Sequence, residues 1–218
     1  MKNKIISGGL VTAMIVFAVP IALISFRYLS FEPIELITAK TAQVQSNVFW
    51  LAGFYLHITF GSIAILIGGF QFIGKLRDRF AAIHRTVGKI YVASVFISAT
   101  AGLGIAIFAE GGIIGKSGFA ALAVLWFYSN VRAYTAIRRV DIAEHRSWMT
   151  RNYALTFAAV TLRLWLPLCL AGFGMEFNTA YPIIAWLSWV PNILVAELIV
   201  RRIGRSVTVP GRPEQATA

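Results

Sequence analysis

The stretch Glu144 to Cys169, EHRSWMTRNYALTFAAVTLRLWLPLC, opens with a glutamate, a histidine and an arginine, turns almost wholly apolar, and still places Arg163 deep in the apolar part. The fold depends on whether that part is a soluble core or a lipid-embedded span. A chain of 218 residues that is 58% hydrophobic and 13% charged has too little polar surface to coat a water-soluble globule of its size. The mean hydropathy of +0.72 points the same way. A helix needs about 20 apolar residues to cross a bilayer, and the chain offers six such stretches, near 5–26, 48–73, 86–109, 118–138, 147–172 and 181–201. The expectation is an all-α integral membrane bundle of six transmembrane helices. It forms one domain over residues 1–203, followed by a polar, disordered cytoplasmic tail at 204–218.

The net charge of +11 would suggest nucleic acid in a soluble protein, but here its distribution matters more than its sum. Arg27, Lys40 and Lys116 fall on one side of the six spans and Arg163 within one; all the other lysines and arginines fall on the opposite side, with both termini. The positive-inside rule then puts both termini in the cytoplasm. This describes a multi-pass protein of the bacterial cytoplasmic (inner) membrane, with anionic inner-leaflet lipid as its partner and no role for nucleic acid.

The first span begins like a signal peptide, MKNK before an apolar run, but it is too long and lacks an A-x-A-like cleavage site, so it reads as a retained helix containing Pro20. The lone Cys169 reads as a small core residue. Between spans one and two, Pro33 followed by Ile34, Leu36 and Ile37 predicts a short helix at the outer interface.

An internal repeat is visible. Span three begins AIHRTVGKIYV and span five AEHRSWMTRNYAL, each with His-Arg, a basic residue and then a tyrosine. The two hairpins would be parallel repeats forming a four-helix core.

Polar residues are costly in lipid, which makes each one informative. On span two a helical stripe runs from His57 through Gly61, Ala64 and Gly68 to Gln71, with His57 roughly 14 Å below the outer boundary. Span three carries His84, Gly88, Tyr91, Val95, Ser98 and Gly102 on one face; span five carries His145, Met149, Asn152, Thr156, Ala159 and Arg163. Arg163 lies roughly 15 Å deep, close to the level of His57. A guanidinium stays protonated, so it must find an anion, carbonyls or water. The intramembrane carboxylate, Glu197, lies near the inner rim, where Arg201 four residues on is its simplest partner. His57, Arg163, Asn152, Thr156 and Tyr91 form the candidate ligand-binding set, for a small hydrophobic or anionic ligand.

His84 and His145 stand at the cytoplasmic mouth, each followed by an arginine, Arg85 and Arg146. Two neutral imidazoles from different helices at one level are a candidate axial pair for a metal or b-type haem, with the arginines as partners for propionates. A zinc site would need further ligands, from Glu144 or Asp141.

On His57, HRTVGKIY (His84 to Tyr91) and EHRSWMTRNYALT (Glu144 to Thr156) with Arg163 beyond, the chain resembles the bacterial "domain of unknown function 2306" membrane-protein family, over roughly Val48 to Leu170. The resemblance implies a small polytopic helical bundle and no established reaction. The phrase His84 to Gly88 is also similar to one in ferric-reductase and NADPH-oxidase haem domains, whose haem helices carry a second histidine about four turns on. Here Ile97 and Ser98 stand at those positions, which argues against a two-haem wire.

Three functions compete. The redox reading uses either a b-type haem on His84 and His145 or a quinone whose carbonyls meet His57 and Arg163. The transport or binding reading makes His57 and Arg163 an anion site. In the third, a non-catalytic membrane assembly protein, the polar stripes only lock the bundle.

Overall fold

The computed structural model describes residues 8–30, 35–38 and 40–207. Among the described residues the regular elements are all helical, and six helical stretches are long and apolar enough to cross a membrane. These are span one (Gly8–Leu29), span two (Val48–Phe72), span three (Ala81–Ala106), span four (Gly112–Arg138), span five (Ile142–Gly172) and span six (Phe177–Arg202). Spans three to six each begin earlier than hydropathy places them, because the helix continues past the apolar run into the more polar residues that flank it. At span five the Asp141 carboxylate accepts the Glu144 N–H at 2.8 Å. His84 and His145 therefore sit in first helical turns rather than in loops.

The loop between spans one and two holds short helices at Glu35–Thr38 and Ala42–Gln45, and Asn47 then caps span two by accepting the Trp50 N–H at 3.0 Å. The predicted start of the loop helix at Pro33 and Ile34 lies outside the described residues, as does most of the tail. The last helix runs on to Val207, past the boundary expected at 203.

Burial reverses the soluble pattern. Small and polar side chains fill the interior, among them Ala22, Ala64, Ala133, Ala185, Ser98, Asn130, Asn152 and Ser188. Large apolar ones such as Phe17, Leu23, Phe49, Ile113 and Leu198 face outward. Such a surface is stable against hydrocarbon, and small interior residues let helices approach closely.

Spans two to five form a four-helix bundle in which two packs on three, three on four and four on five, while two and five meet at the closing edge. Spans three and five thus lie across the diagonal. Span one covers spans two and five; span six covers spans four and five.

Spans five and six are both interrupted. Span five breaks at Phe157, between Ile142–Thr156 and Ala158–Pro167; span six breaks between Phe177–Leu187 and Val190–Val207. Each break has a local cause. The Asn192 amide inserts into the ladder of span five, donating to the Ala154 carbonyl at 3.2 Å, and also donates to the Ser188 carbonyl at 3.0 Å. Pro191 has no N–H to continue the ladder of span six, and the Thr161 hydroxyl donates to the Ser188 carbonyl. Side chains of facing helices thus bond to carbonyls at both breaks, Asn192 to Ala154 and Thr161 to Ser188.

Candidate functional site

The bundle centre is closed by hydrogen bonds across the diagonal. Tyr91 on span three donates to Asn152 Oδ1 on span five at 2.6 Å, and its hydroxyl also meets Thr156 Oγ1 at 2.8 Å. The Trp126 indole N–H donates to Thr156 Oγ1 at 2.9 Å, and the Asn152 amide donates to the Trp126 carbonyl and Ser129 Oγ at 3.0 and 2.8 Å. Tyr91, Asn152 and Thr156 are therefore committed to one another and to span four, with both amide hydrogens and one Oδ1 lone pair of Asn152 occupied. Trp126 and Ser129 escaped the sequence reading, which followed stripes on spans two, three and five. The polar pair Ser129-Asn130 inside an apolar run was the available signal.

This network also sets the level of the two basic-end histidines. His84 precedes Tyr91 by seven residues and His145 precedes Asn152 by seven, so each lies two turns, about 10 Å, toward the basic end from a directly bonded pair. The two residues thus occupy corresponding levels on diagonal helices. The Nδ1 of His145 lies 2.9 Å from the Ala133 carbonyl. A carbonyl only accepts, so Nδ1 carries the proton and Nε2 keeps its lone pair. His145, Arg77, Arg85 and Arg146 all stand near enough to His84 to act on it electrostatically. Arg85 and Arg146 are exposed, whereas Arg77 lines a cleft with His84.

That cleft, about 210 Å³, lies between the end of span two, the short helix Gly74–Arg79 and the first turns of span three. Its walls are mostly apolar, among them Ile67, Phe70, Leu76 and Ile83, and its polar lining is Gln71, Arg77 and His84. Within the cleft lining, Gln71 Oε1 is buried and has no hydrogen-bond partner among the described residues.

His57 and Arg163 are held by different neighbours. His57 Nδ1 meets the Ser98 carbonyl at 2.9 Å, Ser98 Oγ returns a bond to the His57 carbonyl at 2.9 Å, and the ring stands edge-on to Trp126 at 6.5 Å. Arg163 turns toward span one: one terminal nitrogen donates to the Ala159 carbonyl at 2.9 Å and the other to Ser25 Oγ at 3.3 Å. Among the described residues no carboxylate pairs with it.

Two expectations are corrected. Glu197 pairs with Arg151 of span five through both carboxylate oxygens rather than with Arg201, the second contact being 3.0 Å. Tertiary packing brings a bidentate guanidinium closer than the helical neighbour. Glu144, considered as an extra zinc ligand, instead accepts from Arg132, Arg139 and the Trp148 indole, and no group of three metal-ligating side chains forms among the described residues.

A family model described as "Predicted membrane protein (DUF2306)" matches residues 54–200, from span two into span six. No curated protein and no solved structure matches the chain.

Proposed function

We propose, for a chain that belongs to the DUF2306 family of predicted membrane proteins, a redox role based on a b-type haem at the basic, cytoplasmic end of the bundle, ligated by His84 and His145. The observation that carries this reading is their common level, two turns below the bonded Tyr91–Asn152 pair on diagonal helices. His145 is held by a backbone carbonyl through Nδ1, the arrangement that orients a ligating imidazole and leaves Nε2 for a metal. The donor set fits the group: two imidazole nitrogens, the Arg77 guanidinium in the cleft for a propionate, and the orphaned Gln71 Oε1 in the cleft lining. The open volume beside His84, about 210 Å³, is smaller than a tetrapyrrole, so the ring would displace Gln71 and neighbouring apolar side chains. If bound, a haem would supply one-electron exchange; the chain's own part would be to hold the imidazoles of His84 and His145 and to keep water from them.

The test is a visible spectrum of the detergent-purified protein, oxidised and dithionite-reduced, from cells supplied with haem precursor. A stoichiometric Soret band, lost in both His84→Ala and His145→Ala and kept in His57→Ala, is the expected result. A well-folded protein without the band, or full occupancy in both variants, overturns the assignment.

A specific observation favours a second reading. Arg163 is half-buried, with a carbonyl and a hydroxyl as its hydrogen-bond partners among the described residues, and His57 has its Nδ1 engaged and its Nε2 unassigned. Together they suit an anionic group or a quinone carbonyl, in a carrier or in an electron-transfer protein. Binding of quinone analogues or small anions that disappears in folded Arg163→Gln would establish it. If all these variants change only thermal stability, an assembly role remains.

A further inference from the structure

We infer that the cleft beside the Gly74–Arg79 helix is a binding site for an anionic glycerophospholipid with a hydroxylated headgroup, drawn from the leaflet at the basic end. The cleft is amphipathic in the way such a lipid is. Phe70, Leu76 and Ile83 are exposed around it and offer apolar surface to glycerol and acyl segments. Arg77 offers its guanidinium: Nε is taken by Asp78 at 3.0 Å, and the terminal nitrogens meet no carboxylate among the described residues. A phosphodiester matches that fork in charge and shape.

The second observation is the orphaned Gln71 Oε1, buried and without a donor. It faces Gly88, where an added Cβ would come within 3.7 Å of it. A headgroup hydroxyl supplies the donor that this oxygen lacks, which the phosphodiester itself does not. The surrounding field has the right sign, since Lys75, Arg79, Arg85 and Lys89 are exposed nearby and Asp78 is already paired. His84 lines the same cleft as Arg77 and Gln71, so a lipid seated here and the haem proposed above would exclude one another.

The experiment uses the full-length protein in detergent with phosphatidylglycerol, phosphatidylcholine and inorganic phosphate as probes, and reads retained lipid by native mass spectrometry and the shift in thermal stability. The expected result is retention of phosphatidylglycerol over phosphatidylcholine, reduced at least tenfold in Arg77→Gln and in the cleft-filling Ile83→Trp, and unchanged in Arg138→Gln, an exposed control at the same end. Equal retention of the two lipids overturns the site, as does an equal loss in the control. Stabilisation by inorganic phosphate as strong as by the lipid makes it a plain anion site and overturns the lipid assignment. The haem spectrum is recorded on the same samples: lipid retained without any Soret band leaves the lipid site standing alone, whereas a Soret band that depends on His84, in protein that still retains the lipid, overturns the lipid site.

Discussion

Tyr91 illustrates how much one hydroxyl carries in a dry interior. Tyr91→Phe leaves Asn152 Oδ1 without its donor at 2.6 Å, and a buried orphan of this kind costs about 1–3 kcal/mol. Thermal unfolding in detergent followed by far-UV circular dichroism should show a clear fall in Tm; an unchanged Tm would mean that the network is not closed. Gly68 is constrained from the other side. A Cβ there would lie 2.5 Å from the ring of Tyr153 and 2.7 Å from that of Tyr91, so Gly68→Ala should destabilise by about 1–3 kcal/mol through overpacking, read in the same assay. Val140, in the turn between spans four and five, has φ 61° and an exposed side chain. A β-branched residue is strained in that conformation, by about 1–2 kcal/mol. Asn tolerates it, so Val140→Asn should raise the Tm without touching any site.

At the scale of elements, the breaks in spans five and six are one feature. Asn192 donates to Ala154 and Ser188 carbonyls and to Thr161 Oγ1 at 3.1 Å, so it satisfies backbone groups on both helices at once. Asn192→Leu removes these bonds while keeping volume and should lower the Tm. Rescue to wild-type stability would show that water can replace the amide. Nearer the basic end, spans four to six are tied by a stacked cluster: the guanidinium carbons of Arg132 and Arg151 lie 4.8 and 4.7 Å from the Trp148 ring centroid, and their carboxylate partners are Glu144 and Glu197. The Arg151–Glu197 side chains are only 20% and 34% exposed. A double-mutant cycle with Arg151→Ala and Glu197→Ala should give a coupling of about 1 kcal/mol that high salt weakens only partly.

For the whole molecule, orientation is the open test. The chain has one cysteine, Cys169, which is buried. In a Cys169→Ala background, Arg138→Cys should react with a membrane-impermeant maleimide only after cells are opened, and Lys116→Cys in intact cells. The reverse pattern would reject cytoplasmic placement of the basic end. The six spans were legible because hydropathy is a sum over neighbouring residues, and the helix starts were misplaced where the first turns are polar, as at Ile142. Within the site, His84 and His145 were legible as polar residues at helix ends. The role of Arg77 was not, because a loop arginine acquires a cleft only when the Gly74–Arg79 helix folds against spans two and three. The Glu197 partner was misread for a related reason: sequence offers the neighbour four residues on, whereas packing delivered Arg151 from another helix. The sequence by itself determined a six-span helical protein with one basic end, since length, apolarity and charge are local properties that a bilayer reads segment by segment. Only the tertiary structure decided which polar groups are bonded within the protein and which retain free positions. Hydrogen bonding in lipid is a matter of which helix lies opposite, and that is set by packing across the bundle.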